Sequence, residues 1–128
     1  MSRVLLDTHA VVWWLEGRPK LSRTACDAIE DSENTVFVSA ASAWELAIKA
    51  KLGKFKSPQL ARHLDHEIEE EGFVELPISI EHALRAGSLG RHHNDPFDRM
   101  LIAQAQIERM PIVSKDDLFD QYAIQRIW

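Results

Sequence analysis

The 128 residues, of which 45% are hydrophobic, are enough for one domain with a sizeable apolar core and too few for two. One cysteine, Cys26, excludes an intramolecular disulfide and is typical of a small core residue in a reducing cytoplasm. The net charge of −5 is unlike that of most nucleic-acid-binding proteins. The first apolar run, residues 4–6, is too short for a signal peptide or a membrane span, so we expect a soluble cytoplasmic protein without membrane contact.

Short apolar runs alternate with helical patterns along the whole chain. In chain order we predict a strand at 3–6, helices at 10–16 and 22–32, a strand at 36–38 and a helix from 39 or 42 to 52. A helix at 59–71, a strand at 73–76 and helices at 79–87 and from 95 follow. The last predicted elements are a strand at 111–114, a helical turn from 116 and a strand at 123–127. This alternation is typical of a parallel sheet covered by helices on both faces. No repeat or linker interrupts it, so we predict a single domain over residues 1–128.

The first predicted helix is apolar on more than one face. It contains two valines, two tryptophans and a leucine in succession, residues 11–15. One core face cannot accommodate all five side chains, and large indole surfaces are typical anchors of protein interfaces. We therefore expect Trp13 or Trp14 to contact another chain.

The helix predicted from residue 95 begins with a recognisable signal. Asp95 precedes Pro96, and an N-cap carboxylate followed by proline at the first helical position is a common helix start. Apolar residues recur at i, i+4 and i+8 from Phe97 and widen around the helix, which predicts burial against a sheet. Asp98 falls in the first turn. Both acids could simply serve the helix end, Asp95 as cap and Asp98 as a favourable charge at the positive end of the helix dipole.

Four acidic residues fall at one edge of the predicted sheet. Asp7 follows the first strand and Asp116 follows the fourth, while Glu45 lies early in the helix after the second strand and Asp98 begins the helix before the fourth. Alone, Asp7 and Asp116 could be helix caps and Glu45 could pair with Lys49 at i,i+4. Together, such carboxylates repel unless cations neutralise them, and their oxygens suit Mg²⁺ or Mn²⁺. In sites of this kind, a metal-activated water molecule attacks phosphorus and displaces the leaving oxygen.

Four segments resemble, in order, the successive motifs of the PIN-domain ribonucleases, and more narrowly of the VapC-like toxins of bacterial toxin–antitoxin pairs. They are Leu5-Leu6-Asp7-Thr8-His9-Ala10, Ala43-Trp44-Glu45-Leu46-Ala47, Asp95-Pro96-Phe97-Asp98-Arg99-Met100-Leu101-Ile102-Ala103 and Val113-Ser114-Lys115-Asp116. The resemblance extends over nearly the whole chain. It implies a three-layer α/β/α sandwich with a mostly parallel central sheet, and a metal-dependent endoribonuclease that hydrolyses RNA phosphodiester bonds.

The resemblance also implies roles for individual residues and for partners. The metal-binding and catalytic quartet would be Asp7, Glu45, Asp98 and Asp116, with Mg²⁺ as the cofactor and Mn²⁺ as an alternative. Secondary positions beside it are Thr8, Ser114, Asp95 and Asp117, and of the adjacent pair Asp116 and Asp117 either could face the metal. Relatives of this kind dimerise and are inhibited by a small antitoxin encoded beside them, so we expect a homodimer, a cognate antitoxin and an RNA substrate.

Other features leave alternatives open. His92 and His93 could ligate a transition metal, but a carboxylate-rich site favours substrate contact or a loop role for them. The basic cluster of residues 49–56, four lysines around Phe55, is either a solvated helix end or a track for RNA phosphates with one stacking ring.

Two other functions compete with the nuclease. The first is a non-catalytic PIN-like domain that binds RNA or protein. The second, a phosphatase with an acidic residue as phospho-acceptor, is weaker because Asp7-Thr8-His9 lacks the second aspartate that aspartyl-phosphate chemistry commonly employs as acid/base.

Overall fold

The computed structural model describes residues 2–128 and has a five-stranded sheet at its centre. The strands are β1 (Ser2–Leu6), β2 (Asn34–Ser39), β3 (Val74–Leu76), β4 (Ile112–Val113) and β5 (Arg126–Ile127). They lie in the order β3-β2-β1-β4-β5, and all four neighbouring pairs are parallel. The predicted α/β sandwich with a mostly parallel sheet is confirmed.

Helices connect the strands and cover both faces of the sheet. They are α1 (Thr8–Leu15), α2 (Arg23–Glu30), α3 (Ala40–Lys51), α4 (Pro58–Arg62), α5 (Leu64–Glu70), α6 (Ile80–Ser88), α7 (Pro96–Glu108) and a short 3-10 helix at Asp117–Gln121. The structure decides which serine begins α3, because the Ser39 hydroxyl accepts the N–H of Ala41 at 2.9 Å. Among the described residues no helix has both the length and the apolar character needed to cross a bilayer.

The second half of strand β1, residues 4–6, is buried on both faces, which explains its run of three apolar residues, whereas Ser2 and Arg3 are exposed. Val4 and Leu6 belong to the apolar cluster under α1, α2 and α5, whereas Leu5 belongs to the cluster under α7 on the opposite face. Successive side chains of a strand point to opposite faces, so a parallel strand covered on both faces needs apolar residues at each buried position. The two clusters fix the sheet between its helical layers.

Two expectations need correction. The predicted helix over residues 59–71 is two helices that meet at His63, whose φ of −113° and ψ of 23° are not helical. The bend lets α4 pack against α3 while Leu64 and Ile68 of α5 reach the core. Trp14, which we considered for an interface, is only 6% exposed and is held in the core with Arg18 stacked 3.5 Å from its ring. The expected contact with another chain therefore depends on the half-buried Trp13.

Candidate metal centre

Asp7 lies directly after β1 and directly before α1, of which it is the N-cap residue. It is 4% exposed, and its two oxygens have different partners. Oδ1 accepts the N–H of Ala10 at 2.8 Å, which is the helix cap that the sequence suggests, and Oδ2 accepts the hydroxyl of Ser114 at 2.6 Å. Burial raises the pKa of Asp7 above its ordinary value, although both hydrogen bonds lower it. The carboxylate is thus fixed in orientation but poorly solvated.

Ser114, directly after β4, joins two of the predicted acids. Its hydroxyl donates to Asp7 and accepts the backbone N–H of Asp116 at 3.0 Å. Thr8, the other secondary position, has its hydroxyl 2.9 Å from that of Ser42 on α3, so it ties α1 to α3 beside the site. Both hydroxyls are buried and act on the framework of the site.

Glu45 points from α3 into the same region and is 4% exposed. Its Oε2 accepts from Lys49 Nζ at 2.6 Å, so the i,i+4 pair exists, with the Glu45 end buried and the Lys49 end partly exposed. This contact raises the pKa of Lys49. The second oxygen, Oε1, is buried without a hydrogen-bond partner among the described residues. Leaving a buried carboxylate oxygen unpaired is costly, so Glu45 has the coordination capacity for a cation.

Asp95 and Asp98 divide the two roles that the sequence leaves open. Asp95 is the N-cap of α7, since its Oδ1 accepts the N–H groups of Phe97 at 2.8 Å and of Asp98 at 3.2 Å. The pKa of Asp98 is raised to about 7, first by burial and then by the charge of Asp95, with Asp7 and Glu45 adding to the rise. Acids from distant parts of the sequence therefore meet at Asp98.

Asp116, and not Asp117, faces this cluster. Asp116 Oδ1 accepts the N–H of Leu118 at 3.0 Å and so begins the 3-10 helix, while Oδ2 lies 2.8 Å from Nε2 of His93. Asp117 is exposed on the 3-10 helix. Of the two adjacent aspartates, Asp116 is therefore the one that lies at the acidic cluster.

The residue that sequence reasoning undervalues is His93. Its side chain is 10% exposed, and Nε2 lies 3.1 Å from Asp98 Oδ2 as well as 2.8 Å from Asp116 Oδ2. One possible ligand atom from each of these three residues lies within 4.8 Å of the others. The only sequence signal is the position of His93 two residues before the N-cap of the helix that carries Asp98. That position gives proximity to the cluster but not the direction of the ring.

Two side chains of the basic cluster are not accessible in the way that an RNA track requires. Lys49 is paired with Glu45, and Phe55, the expected stacking ring, packs against the core. Lys51, Lys54 and Lys56 remain exposed. The exposed aromatic side chain near the acids is instead Trp44, which is 62% exposed and edge-on to Phe97 at 5.4 Å between ring centroids.

These donors fit a hard divalent cation. Carboxylate oxygens predominate, and these are the ligands that Mg²⁺ and Mn²⁺ prefer. The unpaired oxygen of Glu45 is an available ligand atom. Burial is the main cause of the raised pKa values of Asp7 and Asp98, and neighbouring carboxylates add to both, so negative charge at this site is poorly stabilised by the protein alone. A bound cation would supply the missing compensation.

Comparison with known proteins gives consistent results for family and fold. The PIN domain family model matches residues 4–125. Ribonuclease VapC22 of Mycobacterium tuberculosis is 31% identical in an alignment of 120 positions that covers 91% of this chain and 88% of that protein. The crystal structure of VapBC2 from Rickettsia felis bound to a promoter DNA fragment matches with a TM-score of 0.72 and 16% identity, over 98% of this chain and 99% of the matched chain. DNA-bound VapBC from Salmonella typhimurium matches with a TM-score of 0.68 and 17% identity, over 98% and 97% of the two chains.

Proposed function

This chain belongs to the PIN domain family of VapC-like ribonucleases, and on that premise we propose that it is the endoribonuclease toxin of a toxin–antitoxin pair, with a divalent metal ion held by four acids. The proposed ligands are Asp7, Glu45, Asp98 and Asp116. The observation that carries this assignment is the buried, unpaired oxygen of Glu45 beside an Asp98 whose pKa is raised to about 7 by burial and neighbouring acids. Mg²⁺ is the proposed ion and Mn²⁺ the alternative, because both prefer oxygen ligands.

The chain's own residues prepare the site before a metal ion binds. Ala10 N–H and the Ser114 hydroxyl fix the orientation of Asp7, and Lys49 fixes one oxygen of Glu45. When bound, a divalent cation supplies the charge that lowers the pKa of an attacking water molecule and stabilises charge on the phosphate. Asp98 must be deprotonated to bind the cation, so metal binding competes with the proton on its carboxyl group.

The proposed substrate is RNA with unpaired bases. Trp44, whose indole is exposed, directly precedes Glu45 in the sequence and packs edge-on against Phe97, the residue before Asp98. Aromatic side chains next to a backbone-binding site stack on bases that are not paired, which is typical of the recognition of single-stranded RNA and loops. The acidic net charge of the protein does not oppose this function, because the metal ion supplies positive charge where the phosphate binds.

We also propose a small cognate antitoxin and a homodimer as the protein's partners in the cytoplasm. An apolar cavity of about 310 Å³ between α3, α6 and α7 is lined by Trp44, Ile78, Phe97 and Met100. Trp44 and Phe97 directly precede Glu45 and Asp98 in the sequence. An amphipathic helix of the antitoxin could pack there, followed by an arginine that pairs with the carboxylates. Such an inhibitor would compete with the metal ion, so its effect should weaken as Mg²⁺ rises.

The test of the nuclease is cleavage of mixed RNA by the purified chain, with Mg²⁺, with Mn²⁺ and after chelation by EDTA. We expect cleavage only when a divalent ion is present. Asp117→Asn is the matched variant, because Asp117 has the same charge and lies beside Asp116 but points to solvent. If the folded, metal-loaded protein binds RNA without cleaving it, the non-catalytic binding domain becomes the better assignment.

A further inference from the structure

The segment between α6 and α7 holds His93 in a defined position. The backbone N–H of His93 donates to the Tyr122 hydroxyl at 2.9 Å, and that hydroxyl donates to the carbonyl of Gly90 at 2.8 Å. Arg99 donates to the carbonyl of His93 at 3.2 Å and to three other carbonyls of the segment and the end of α6. The position of the imidazole is therefore set by backbone contacts independent of the acids.

The protonation pattern of this imidazole follows from its other contact. Nδ1 of His93 lies 3.3 Å from the backbone nitrogen of Asp95, in hydrogen-bond geometry. A backbone N–H can only donate, so Nδ1 must accept with its lone pair, and the proton of the neutral ring is then on Nε2. That Nε2–H group points between two carboxylates, with Asp116 Oδ2 at 2.8 Å and Asp98 Oδ2 at 3.1 Å.

We propose that the Nε2–H group of His93 occupies the place of the cation between Asp98 and Asp116 in the metal-free protein, and that the metal ion must displace it to bind. The proposal rests on the proposed function, because it concerns the same carboxylates. It assigns to His93 the role of an internal competitor for the metal ion.

The alternative, that His93 is a metal ligand, conflicts with the backbone contact. To ligate through Nε2, the neutral ring would carry its proton on Nδ1. That proton would then face the N–H of Asp95, so two donors would meet at 3.3 Å without an acceptor. The imidazole donates to the acids in this position, and it can become a ligand only if the 89–95 segment changes its hydrogen bonds.

Two substitutions separate the contacts of the ring. In His93→Asn the shorter amide can still accept the Asp95 N–H through its oxygen but does not reach the acids. In His93→Gln the longer amide reaches the region of Nε2 and keeps a donor between the carboxylates. His92→Asn is the matched control, because the exposed His92 packs edge-on against Tyr122 at 5.3 Å between centroids and contacts neither acid.

The experiment is calorimetric titration of each metal-free variant with MnCl₂ and with MgCl₂. We expect His93→Asn to bind Mn²⁺ about tenfold more tightly than the wild type, since hydrogen bonds to charged groups are among the stronger ones and need no longer be broken. We expect His93→Gln and His92→Asn to stay within about threefold of the wild type. Long-range ¹H–¹⁵N NMR of the imidazoles should show the Nε2–H tautomer for His93, and its carboxylate-bonded proton signal should be lost when Mg²⁺ is added.

The outcomes separate this proposal from the function on which it rests. If His93→Asn binds Mn²⁺ as tightly as the wild type or more weakly, or if Mg²⁺ converts His93 to the Nδ1–H tautomer, the imidazole is no competitor and this inference is wrong while the metal site stands. If neither the wild type nor His93→Asn binds either ion, the metal assignment fails and the inference fails with it.

Discussion

His82 and His93 form two histidine–carboxylate contacts that are built alike and placed differently. Each ring accepts a backbone N–H at Nδ1, from Ser79 at 3.0 Å for His82 and from Asp95 at 3.3 Å for His93. Each then directs Nε2 at a carboxylate 2.8 Å away, that of Glu108 for His82. Up to this point the local chemistry of the two is the same.

The difference lies in the number of carboxylates that share each donor. His82 has one acid, Glu108, and the contact joins α6 to α7 at the edge of the apolar core. His93 has two acids, and the charges of Asp7 and Glu45 also act on Asp98. A balanced pair stabilises the fold, whereas a site with more carboxylates than donors has capacity for a cation. This excess distinguishes the candidate centre from an ordinary buried histidine.

The largest expected effect is on RNA cleavage by Asp98→Asn. The amide keeps the size of the side chain but removes a metal ligand, so we expect activity to fall by about a hundredfold or more, since losing even an outer partner of a metal site costs about 10–100-fold. Glu108→Gln, the equivalent change at the His82 pair, should leave the cleavage rate within about twofold. Initial rates with saturating Mg²⁺ give both values. Wild-type activity in Asp98→Asn would remove Asp98 from the centre.

For the free energy of unfolding, we expect the larger effect in the His82 region and the smaller one in the His93 region. His82→Ala removes a ring that is 3% exposed, together with the reciprocal cap at Ser79, and leaves Glu108 without its partner. We expect a loss of about 2–3 kcal/mol in the free energy of unfolding. His93→Ala should cost less in the metal-free protein, about 1 kcal/mol, because the ring lies at the edge of the site and not within the core. Urea denaturation in EDTA measures both, and equal losses would contradict the distinction.

The sequence predicts the framework of the site better than its interior. The position of Asp7 after β1 and of Asp116 after β4 follows from strands whose ends share one edge, and the Asp95-Pro96 pair marks the start of α7. The direction of the His93 ring depends on Tyr122 and Asp95, contacts that no periodicity encodes. Whether the acids bind metal stays a prediction.

The helices show the same limit. The pattern over residues 59–71 is amphipathic throughout, yet the chain bends at His63 because α4 packs on α3 and α5 on the core. Trp14 likewise looks available for a partner when its helix is considered alone. The packing of Phe73 and Arg18 on its ring is tertiary and buries it within the chain. Sequence periodicity gives the face of a helix but not the element that covers it.

The stability of the metal-free protein should depend on pH through Asp98, one of the two acids that contact His93. The pKa of Asp98 is raised from 3.8 to about 7, so the folded protein binds more protons than the unfolded chain between these values. The free energy of unfolding of the metal-free protein should therefore fall as pH rises from about 4 to 7. Asp98→Asn should reduce this slope, of which the raised pKa of Asp7 retains a part, and should raise stability at pH 7 by about 1 kcal/mol. Chemical denaturation across this pH range in EDTA tests the prediction, and an unchanged slope in Asp98→Asn would contradict it.

The smallest expected effect concerns the two helix caps beside the histidines. Asp95 caps α7 through two backbone N–H groups, and Ser79 caps α6 through the N–H of His82. Replacing either by alanine should lower the free energy of unfolding by about 1 kcal/mol, the usual value of an N-cap.

The two caps should differ in their effect on metal binding. Ser79→Ala should leave Mn²⁺ affinity unchanged, because its helix does not carry a ligand. Asp95→Ala should change that affinity only about threefold, since Asp95 contributes charge near Asp98 but directs its hydrogen-bonded oxygen at the helix. Thermal unfolding and calorimetry on the same two variants measure both quantities. If Asp95→Ala keeps its melting temperature and loses metal affinity by more than about tenfold, Asp95 is a ligand and the division between cap and centre at the start of α7 is wrong.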